Sequence, residues 1–385
     1  MKRYCKSVNI YDIEFLEKCA KACLKKKWKR RDTVDFFVKL LHCNKRKVYY
    51  LIKCKKEFLI HETALHLQKQ LKSHDLNFIP IWYKEKIDSS SQKVRRIGIQ
   101  HISQQLFDYV AVYAMEDFLK RIGDFQCASI PNKGSEYGIR FVRKWLKEKD
   151  VRCVAQLDVK KCFPSIPKRK LITFINKYVA NKDICWLVEK LISTFEEGLS
   201  IGSFLSQYLC NLYMSQLYHE ISERMYFMRR GKRVNCVKHV LFYMDDIFLV
   251  GTNVKALHNA VKSTIEYADK GMGLTIKTTW SVKRLVDMSF VDIMGFRVYR
   301  DHITIRRRVF LRIRRAYKKA INKVTLTPKQ AQKCISYFGY VKNTNSLKLA
   351  KKYKIYKSIK IAKGVISRES KIRCKTTEGK KHNTE

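Results

Sequence analysis

The chain has 385 residues and a mass of 45.7 kDa, enough to bury a real core in two or three subdomains, and its 46% apolar content argues for a folded body. Its 81 Lys and Arg against 34 Asp and Glu leave a net charge of +47, which calls for a polyanionic partner, either nucleic acid or an anionic membrane surface. No apolar run approaches the roughly 18 residues of a membrane span and the N-terminal MKRYCKSVNIYDIEF lacks a signal-peptide core, so of the two partners nucleic acid, in the cytoplasm, is expected.

Residues 1–75 alternate apolar and Lys/Arg residues at helical spacing, which predicts a small basic helical extension with Cys19, Cys23, Leu24, Phe36, Phe37, Leu40 and Leu41 in its core. Its Lys-rich face, with Trp28, Tyr49 and Tyr50 nearby, reads equally as a solvated helix pair or as a platform for a structured RNA or an accessory subunit. From Phe78 the pattern becomes strand, turn, strand: FIPIWYKEKI, the polar Asp88-Ser89-Ser90-Ser91, then KVRRIGIQHI. Gln104 to Arg121 returns to helical spacing through Leu106, Val110, Tyr113, Ala114 and Phe118, and Cys127 to Leu146 reads as a loop followed by a helix.

Val151 to Pro167, VRCVAQLDVKKCFPSIP, is a β-branched apolar strand running into Asp158, which taken alone is a strand-end Asp capping the next helix. Leu171 to Phe195 is helical, and GLSIGSFLSQYLCNLYMSQL follows from Gly198 to Leu217. In LFYMDDIFLVG, Leu241 to Gly251, two adjacent carboxylates stand between apolar half-strands. Asp245 and Asp246 repel each other and disfavour a strand but suit a turn, so the run predicts a hairpin with the pair at its tip, held for a cation. Mg²⁺ is the fitting ion, since it takes oxygen ligands from one or two carboxylates together with substrate phosphates.

Beyond MGLTIKTTWSVKRL and FVDIMGF the charge becomes one-signed. His302 to Arg368 holds no acidic residue and 20 Lys or Arg, interleaved with Phe310, Tyr317, Tyr337, Phe338, Tyr340, Tyr353 and Tyr356, a pattern that points to sustained phosphate contact. Residues 364–385 are polar and poor in large apolar groups, which predicts a disordered basic tail. The 13 cysteines are odd in number and include no Cys-x-x-Cys pair, so they are expected to be reduced and mostly buried.

Together, the Asp158 strand and the Asp245-Asp246 hairpin resemble motifs A and C of reverse transcriptases, and the resemblance runs in the family's motif order over about two-thirds of the chain, from Phe78 to Tyr340. Gly198 to Leu217 looks like motif B, where glycine lets backbone approach the template and incoming base pair. MGLTIKTTWSVKRL resembles motif D, FVDIMGF the primer-grip hairpin, and Cys127 to Leu146 a weakened form of the family's second motif. Within the family the chain is most similar to the group II intron-like bacterial enzymes, and among these to the reverse transcriptases of diversity-generating retroelements. Many reverse transcriptases carry Gln-Gly at the head of motif B and Ser-Pro at its end, whereas this chain reads Ile201-Gly202-Ser203-Phe204-Leu205-Ser206-Gln207.

The resemblance implies an α/β (α+β) right-hand polymerase with fingers, palm and thumb, an antiparallel palm sheet backed by helices, and a helical N-terminal extension. Its divisions fall at 1–75 for the extension, 76–300 for fingers and palm, 301–363 for a basic helical thumb and 364–385 for the tail. It implies RNA-directed DNA polymerase activity by two-metal-ion nucleotidyl transfer, with two Mg²⁺ ions or Mn²⁺ in their place. Asp158 and Asp245 are the implied main ligands, Val159 offers its carbonyl, and Asp246 supports the site. Lys93 and Arg95 are placed at the incoming triphosphate, with the alternative of a basic edge strand that discourages aggregation.

Phe163 is placed beneath the sugar, selecting deoxynucleotides, or else is ordinary core. Ile201, Gly202 and Gln207 are placed beside the nascent pair, and Lys277 is the implied acid toward pyrophosphate, with Lys283 close by. Lys133, Arg140, Arg306, Arg307, Arg308, Arg312, Arg314 and Arg315 are placed on nucleic acid backbone. The implied partners are a template RNA, the RNA/cDNA duplex, deoxynucleoside triphosphates and a small helical accessory protein, in a bacterial or phage-encoded cytoplasmic system. The alternatives are an antiphage defence or retron-type enzyme and, from another class, an inactive RNA-binding scaffold.

Overall fold

The computed structural model describes residues 2–87, 94–321 and 325–379, with side chains described to 369. In chain order the elements are α1 (Ile13–Leu24), α2 (Arg31–Leu40), α3 (Lys45–Cys54), α4 (Lys56–Lys72), β1 (Trp82–Ile87), β2 (Val94–Ile99), α5 (Ile102–Ala114), α6 (Glu116–Leu119) and α7 (Ser135–Leu146). The middle of the chain follows with β3 (Cys153–Asp158), α8 (Cys162–Ser165), α9 (Lys168–Tyr178), α10 (Lys182–Ser193), α11 (Phe204–His219), β4 (Tyr226–Arg229), β5 (Lys232–Asn235), β6 (His239–Tyr243), β7 (Asp246–Gly251) and α12 (Val254–Glu266). The remainder is β8 (Ser281–Arg284), β9 (Val291–Ile293), β10 (Phe296–Val298), β11 (Ile303–Ile305), α13 (Arg307–Ile321), α14 (Pro328–Lys342), α15 (Leu347–Lys352) and α16 (Ile355–Gly379).

The chain divides into two compact units, Met1–Gly134 with Cys153–Val282, and Ser135–Arg152 with Lys283–Glu385. In the first, β6, β7 and β3 pair antiparallel within a sheet of order β6-β7-β3-β8, and α12 lies against β3 and β7. Helix α11 is buried on nearly every side, through Leu205, Leu209, Leu212, Tyr213 and Leu217, as befits a helix that is apolar all round. Its start is fixed by Ser203, whose side chain accepts the backbone N–H of Ser206 at 3.2 Å and so satisfies one of the helix's orphan donors.

The basic N-terminal helices do not form a core of their own. Leu16, Cys19, Cys23 and Phe37 bury into the same cluster as Leu106, Leu157 and Leu249, because α1 lays one apolar stripe against both α4 and α5. The expected division at residue 75 is therefore absent from the packing.

In the second unit β9, β10 and β11 make an antiparallel meander, with α7 packed on β10. Helices α13, α14 and α16 enclose a core of Ile313, Tyr317, Leu326, Cys334, Val341 and Ile355, in which the Tyr317 hydroxyl donates to the Cys334 carbonyl at 2.8 Å. The expected boundary at residue 300 is shifted, since residues 135–152 and 283–300 group with the C-terminal helices. The tail, expected to lack structure from Gly364, instead continues α16 to Gly379, and its Val365 and Ile366 pack on this second core. Residues 380–385 lie outside the described residues.

Candidate active site

Motif A and motif C meet across two adjacent strands. β3 pairs antiparallel with β7 in a register that sets Asp158 directly opposite Asp246, and β6 pairs with β7 so that Met244 and Asp245 form the connecting turn. Met244 takes a left-handed φ of 55°, which a two-residue hairpin turn demands and which a side chain other than glycine adopts at a cost. The turn is clamped from β3, since the Val159 N–H donates to the Asp245 carbonyl at 2.9 Å. Like charges set opposite each other destabilise a strand pair, so these carboxylates work against the fold unless a cation joins them.

Motif D brings a cation to that point. The Lys277 N–H donates to the Asp158 carbonyl at 2.9 Å and the Lys160 N–H to the Thr275 carbonyl at 2.8 Å, which draws the motif D segment alongside Val159. These bonds use the carbonyls of Asp158 and Thr275 rather than that of Val159. The Lys277 ammonium forms an ion pair with Oδ1 of Asp158, yet that oxygen is buried and lacks a well-directed hydrogen bond. Burial, and secondarily the charge of Asp158, raises the Asp245 carboxyl above its ordinary range, while its own backbone N–H, Lys277 and Arg95 pull it back. Four of the expected residues, Asp158, Asp245, Lys277 and Arg95, therefore share one electrostatic field.

Among the described residues no group of three or more acidic, His or Cys side chains closes around one point. The donor set is two carboxylates, that of Asp245 and that of Asp158, whose buried Oδ1 faces the Lys277 ammonium. That set fits Mg²⁺, which takes few protein ligands and completes its shell with substrate oxygens and water. Beneath the turn, the Cys162 and Cys210 sulfurs lie 3.6 Å apart, and their mutual hydrogen bond, followed by burial, lifts the Cys210 thiol far above its usual value. Both pack as small buried groups, and the raised thiol makes Cys210 a poor nucleophile.

Motif B is stitched to the β1–β2 hairpin by backbone. The Gly98 N–H donates to the Ile201 carbonyl at 2.7 Å, and Gly202 has a φ of 115° with the Gly98 carbonyl only 2.4 Å from where a Cβ would stand. No other residue fits there without moving the strand. Ile201 and Gln207 are half-buried, and the Gln207 carbonyl accepts from the Asn211 side chain at 3.0 Å. Half-buried Phe163 contributes backbone as well as its ring, its carbonyl taking the Leu199 N–H at 2.9 Å. Lys93 lies outside the described residues.

The expected backbone contacts separate. Lys133 spends its ammonium on the carbonyls of Asp124, at 2.6 Å, and Gly123, while Arg140 belongs to α7 in the second unit. Arg306 pairs with Asp292 and is tied into the meander. Arg307, Arg308, Arg314 and Arg315 stand exposed on α13, and Arg312 is half-buried.

Three features were not anticipated from sequence. Asp108 on α5, wholly buried, accepts from the Ser203 hydroxyl at 2.8 Å, from the Leu205 N–H at 3.4 Å and from the Gln100 amide at 3.4 Å, holding the start of the motif B helix. Its only sequence signal was an acid inside an apolar helical stretch. Arg96, beside Arg95, pairs with Glu196 and lies 4.2 Å from the centre of the Tyr83 ring, which steadies the β1–β2 hairpin. The third is the exposed ribbon of β4 and β5.

Only Asp245 of the expected pair lies in the turn, Asp246 opening β7; a strand-borne Asp beside such a hairpin, on an antiparallel sheet backed by helices, is the palm of a right-hand polymerase. The family model for reverse transcriptase (RNA-dependent DNA polymerase) matches residues 84–342, and the chain belongs to that family. A search of curated proteins finds no match. Among solved structures, the apo telomerase of Candida tropicalis truncated from its C-terminal domain aligns at 13% identity and a TM-score of 0.44, over 59% of this chain and 55% of that one. The telomerase of Candida albicans in complex with a TWJ fragment of telomeric RNA aligns at 12% and 0.45, over 73% and 55%, and a polymerase complex inside a dsRNA virus at 12% and 0.41, over 62% and 22%. The chain thus spans little more than half the length of the telomerases it matches. Among the described residues no helix is long and apolar enough to cross a membrane.

Proposed function

We propose that the chain copies a template RNA into cDNA by adding deoxynucleotides to a primer 3′ hydroxyl. The observation that carries this reading is the β3–β7 register, which sets Asp158 opposite Asp246 and beside the clamped Asp245 turn, with Lys277 and Arg95 in the same field. When bound, a pair of Mg²⁺ ions supplies Lewis acidity at the primer oxygen and at the leaving pyrophosphate. Asp158 and Asp245 hold that charge, with the Val159 carbonyl as a further oxygen donor and Asp246 acting through the field or through water.

Arg95, with Lys93, draws the triphosphate toward the turn. Lys277 gives a proton to pyrophosphate, a role supported by its ion pair with Asp158. The Phe163 ring bars a 2′ hydroxyl, and Gly202 and Gln207 line the side of the nascent pair. The second unit serves as the thumb, with α13 on the duplex backbone. The decisive test is Asp245→Asn: extension of a DNA primer on RNA in Mg²⁺ is expected to fall to background while RNA binding stays within about twofold, since one ligand charge is lost from a site whose work is electrostatic. Undiminished extension would remove Asp245 from catalysis, whereas no extension by the wild-type chain, with RNA still bound, would make the RNA-binding scaffold the better account.

Within that activity, the motif B head favours an error-prone enzyme of the diversity-generating kind, working with a small helical accessory protein. Where many relatives present a Gln amide, Ile201 presents only dispersion contacts, worth about 0.1–0.2 kcal/mol per atom pair, which tolerate a displaced base better than a directional bond. Ile201→Gln is expected to lower misincorporation severalfold with extension retained, as read by sequencing cDNA from both forms on one RNA. Equal and low error rates would favour an antiphage defence or retron-type polymerase instead.

A further inference from the structure

Between motif B and motif C the chain leaves the palm to make a two-stranded ribbon, β4 and β5, joined through Arg230 and Gly231 with φ of 49° and 72°. Two successive positive φ values give the tight turn whose twist suits a hairpin. The register puts Tyr226, Met228 and Arg233 on one face, and Phe227, Arg229 and Lys232 on the other. Neither face is covered: Tyr226 is 46% exposed, Phe227 40% and Met228 61%. An isolated two-stranded ribbon is marginal in water, and three adjacent large apolar side chains left in solvent mark a surface that binds something.

Charge identifies the occupant. From Met225 to Met244 there is no acidic residue, and Arg229, Arg230, Lys232 and Arg233 are all exposed around the tip. Arg233 lies 4.1 Å from the centre of the Tyr226 ring and donates to the Asn235 side chain at 3.3 Å and to the Glu223 carbonyl, so the ring and the guanidinium are held together as one surface. A second copy of a chain carrying +47 is repelled by such a tip, whereas a polyanion is drawn to it. Flat rings interleaved with cations are what unpaired nucleotides require, bases stacking and phosphates pairing.

The ribbon is also removed from the catalytic turn. It closes where the Cys236 N–H meets the Met225 carbonyl, ahead of the start of β6, and Asp245 lies past the far end of that strand, on the order of 15 Å along it. We propose that the Tyr226–Asn235 ribbon is a second RNA-binding site, taking unpaired bases on Tyr226 and Phe227 and their phosphates on the four tip cations. The proposal rests on the reading of the chain as an RNA-copying enzyme, but on none of its catalytic residues.

The test uses the full chain with a fluorescein-labelled oligouridylate and, in parallel, a blunt RNA duplex. Replacing Tyr226 and Phe227 together by Leu keeps apolar bulk and removes both rings; oligouridylate binding is expected to weaken at least about fivefold, with duplex binding unchanged. Replacing Arg229, Arg230 and Lys232 by Gln is expected to lower the slope of log affinity against log salt for oligouridylate by about 2. Equal losses for both RNAs, or no loss, overturn the proposal, as does loss of a dimer by light scattering with RNA binding intact. Should the variants misfold, photocross-linking of 4-thiouridine RNA to the wild-type chain decides: adducts on Tyr226 or Phe227 support the site, and adducts confined elsewhere overturn it. Extension of oligo(dT) on poly(rA) by the wild-type chain tests the polymerase reading separately.

Discussion

A carboxylate sealed inside an apolar helix face, as Asp108 is, costs stability that its hydrogen bonds return only in part. Burial pushes its carboxyl up from 3.8 to about 6, against the pull of Ser203, Leu205 and Gln100. Because the folded value exceeds the unfolded one, the folded chain binds the proton more tightly, and this group's contribution is greatest below about pH 4 and is lost as pH rises through about 6. Asp108→Asn keeps an acceptor for Ser203 and Leu205 and has no charge to desolvate. It is expected to gain stability on the order of 1–3 kcal/mol at about pH 8, with a smaller gain at about pH 5, as urea unfolding at the two pH values reads it. A gain that is larger at the acid end would refute the account. An acid among Leu106, Phe107 and Val110 was legible as an exception, but its partner was not, because Ser203 stands 95 residues further along.

At the level of elements, α13 carries the one-signed stripe on which the proposed duplex contact depends. Arg307, Arg314 and Lys318 recur at helical spacing with Arg308 and Arg315 beside them, all exposed, while Ile313 and Tyr317 turn inward. Replacing Arg307, Arg308, Arg314 and Arg315 by Gln is expected to flatten the salt dependence of duplex binding by about 3 to 4 in log-log slope. Arg306→Gln should leave that slope nearly unchanged and cost stability instead, because its partner is Asp292. An unaltered slope in the quadruple variant would place the duplex elsewhere. Such stripes, the Asp158 strand and the hairpin that carries Asp245 and Asp246 are readable because their pattern is local. The β3–β7 register, the bond from Gly98 to Ile201 and the burial of Asp108 depend on residues far apart in the chain, which periodicity does not report. For residues 1–75, spacing reveals apolar stripes without revealing that the cluster of Leu106 and Leu249 covers them.

For the whole molecule, charge and continuity matter more than any single contact. The +47 balance is carried by a body with two apolar cores, so cations crowd the outside and repel one another until a polyanion arrives. The twelve described cysteines are free and mostly buried, as expected of small packing groups. The second unit is discontinuous in sequence: α7 interrupts the first unit and packs against β10. During synthesis, then, Val142, Trp145 and Leu146, buried in the finished protein, emerge about 150 residues before Phe296. At roughly 5–20 residues per second the helix waits on the order of 10–30 s with its inner face uncovered. The timing of translation, which no arrangement of the folded chain reveals, thus decides how long a sticky helix must be kept from the wrong neighbour.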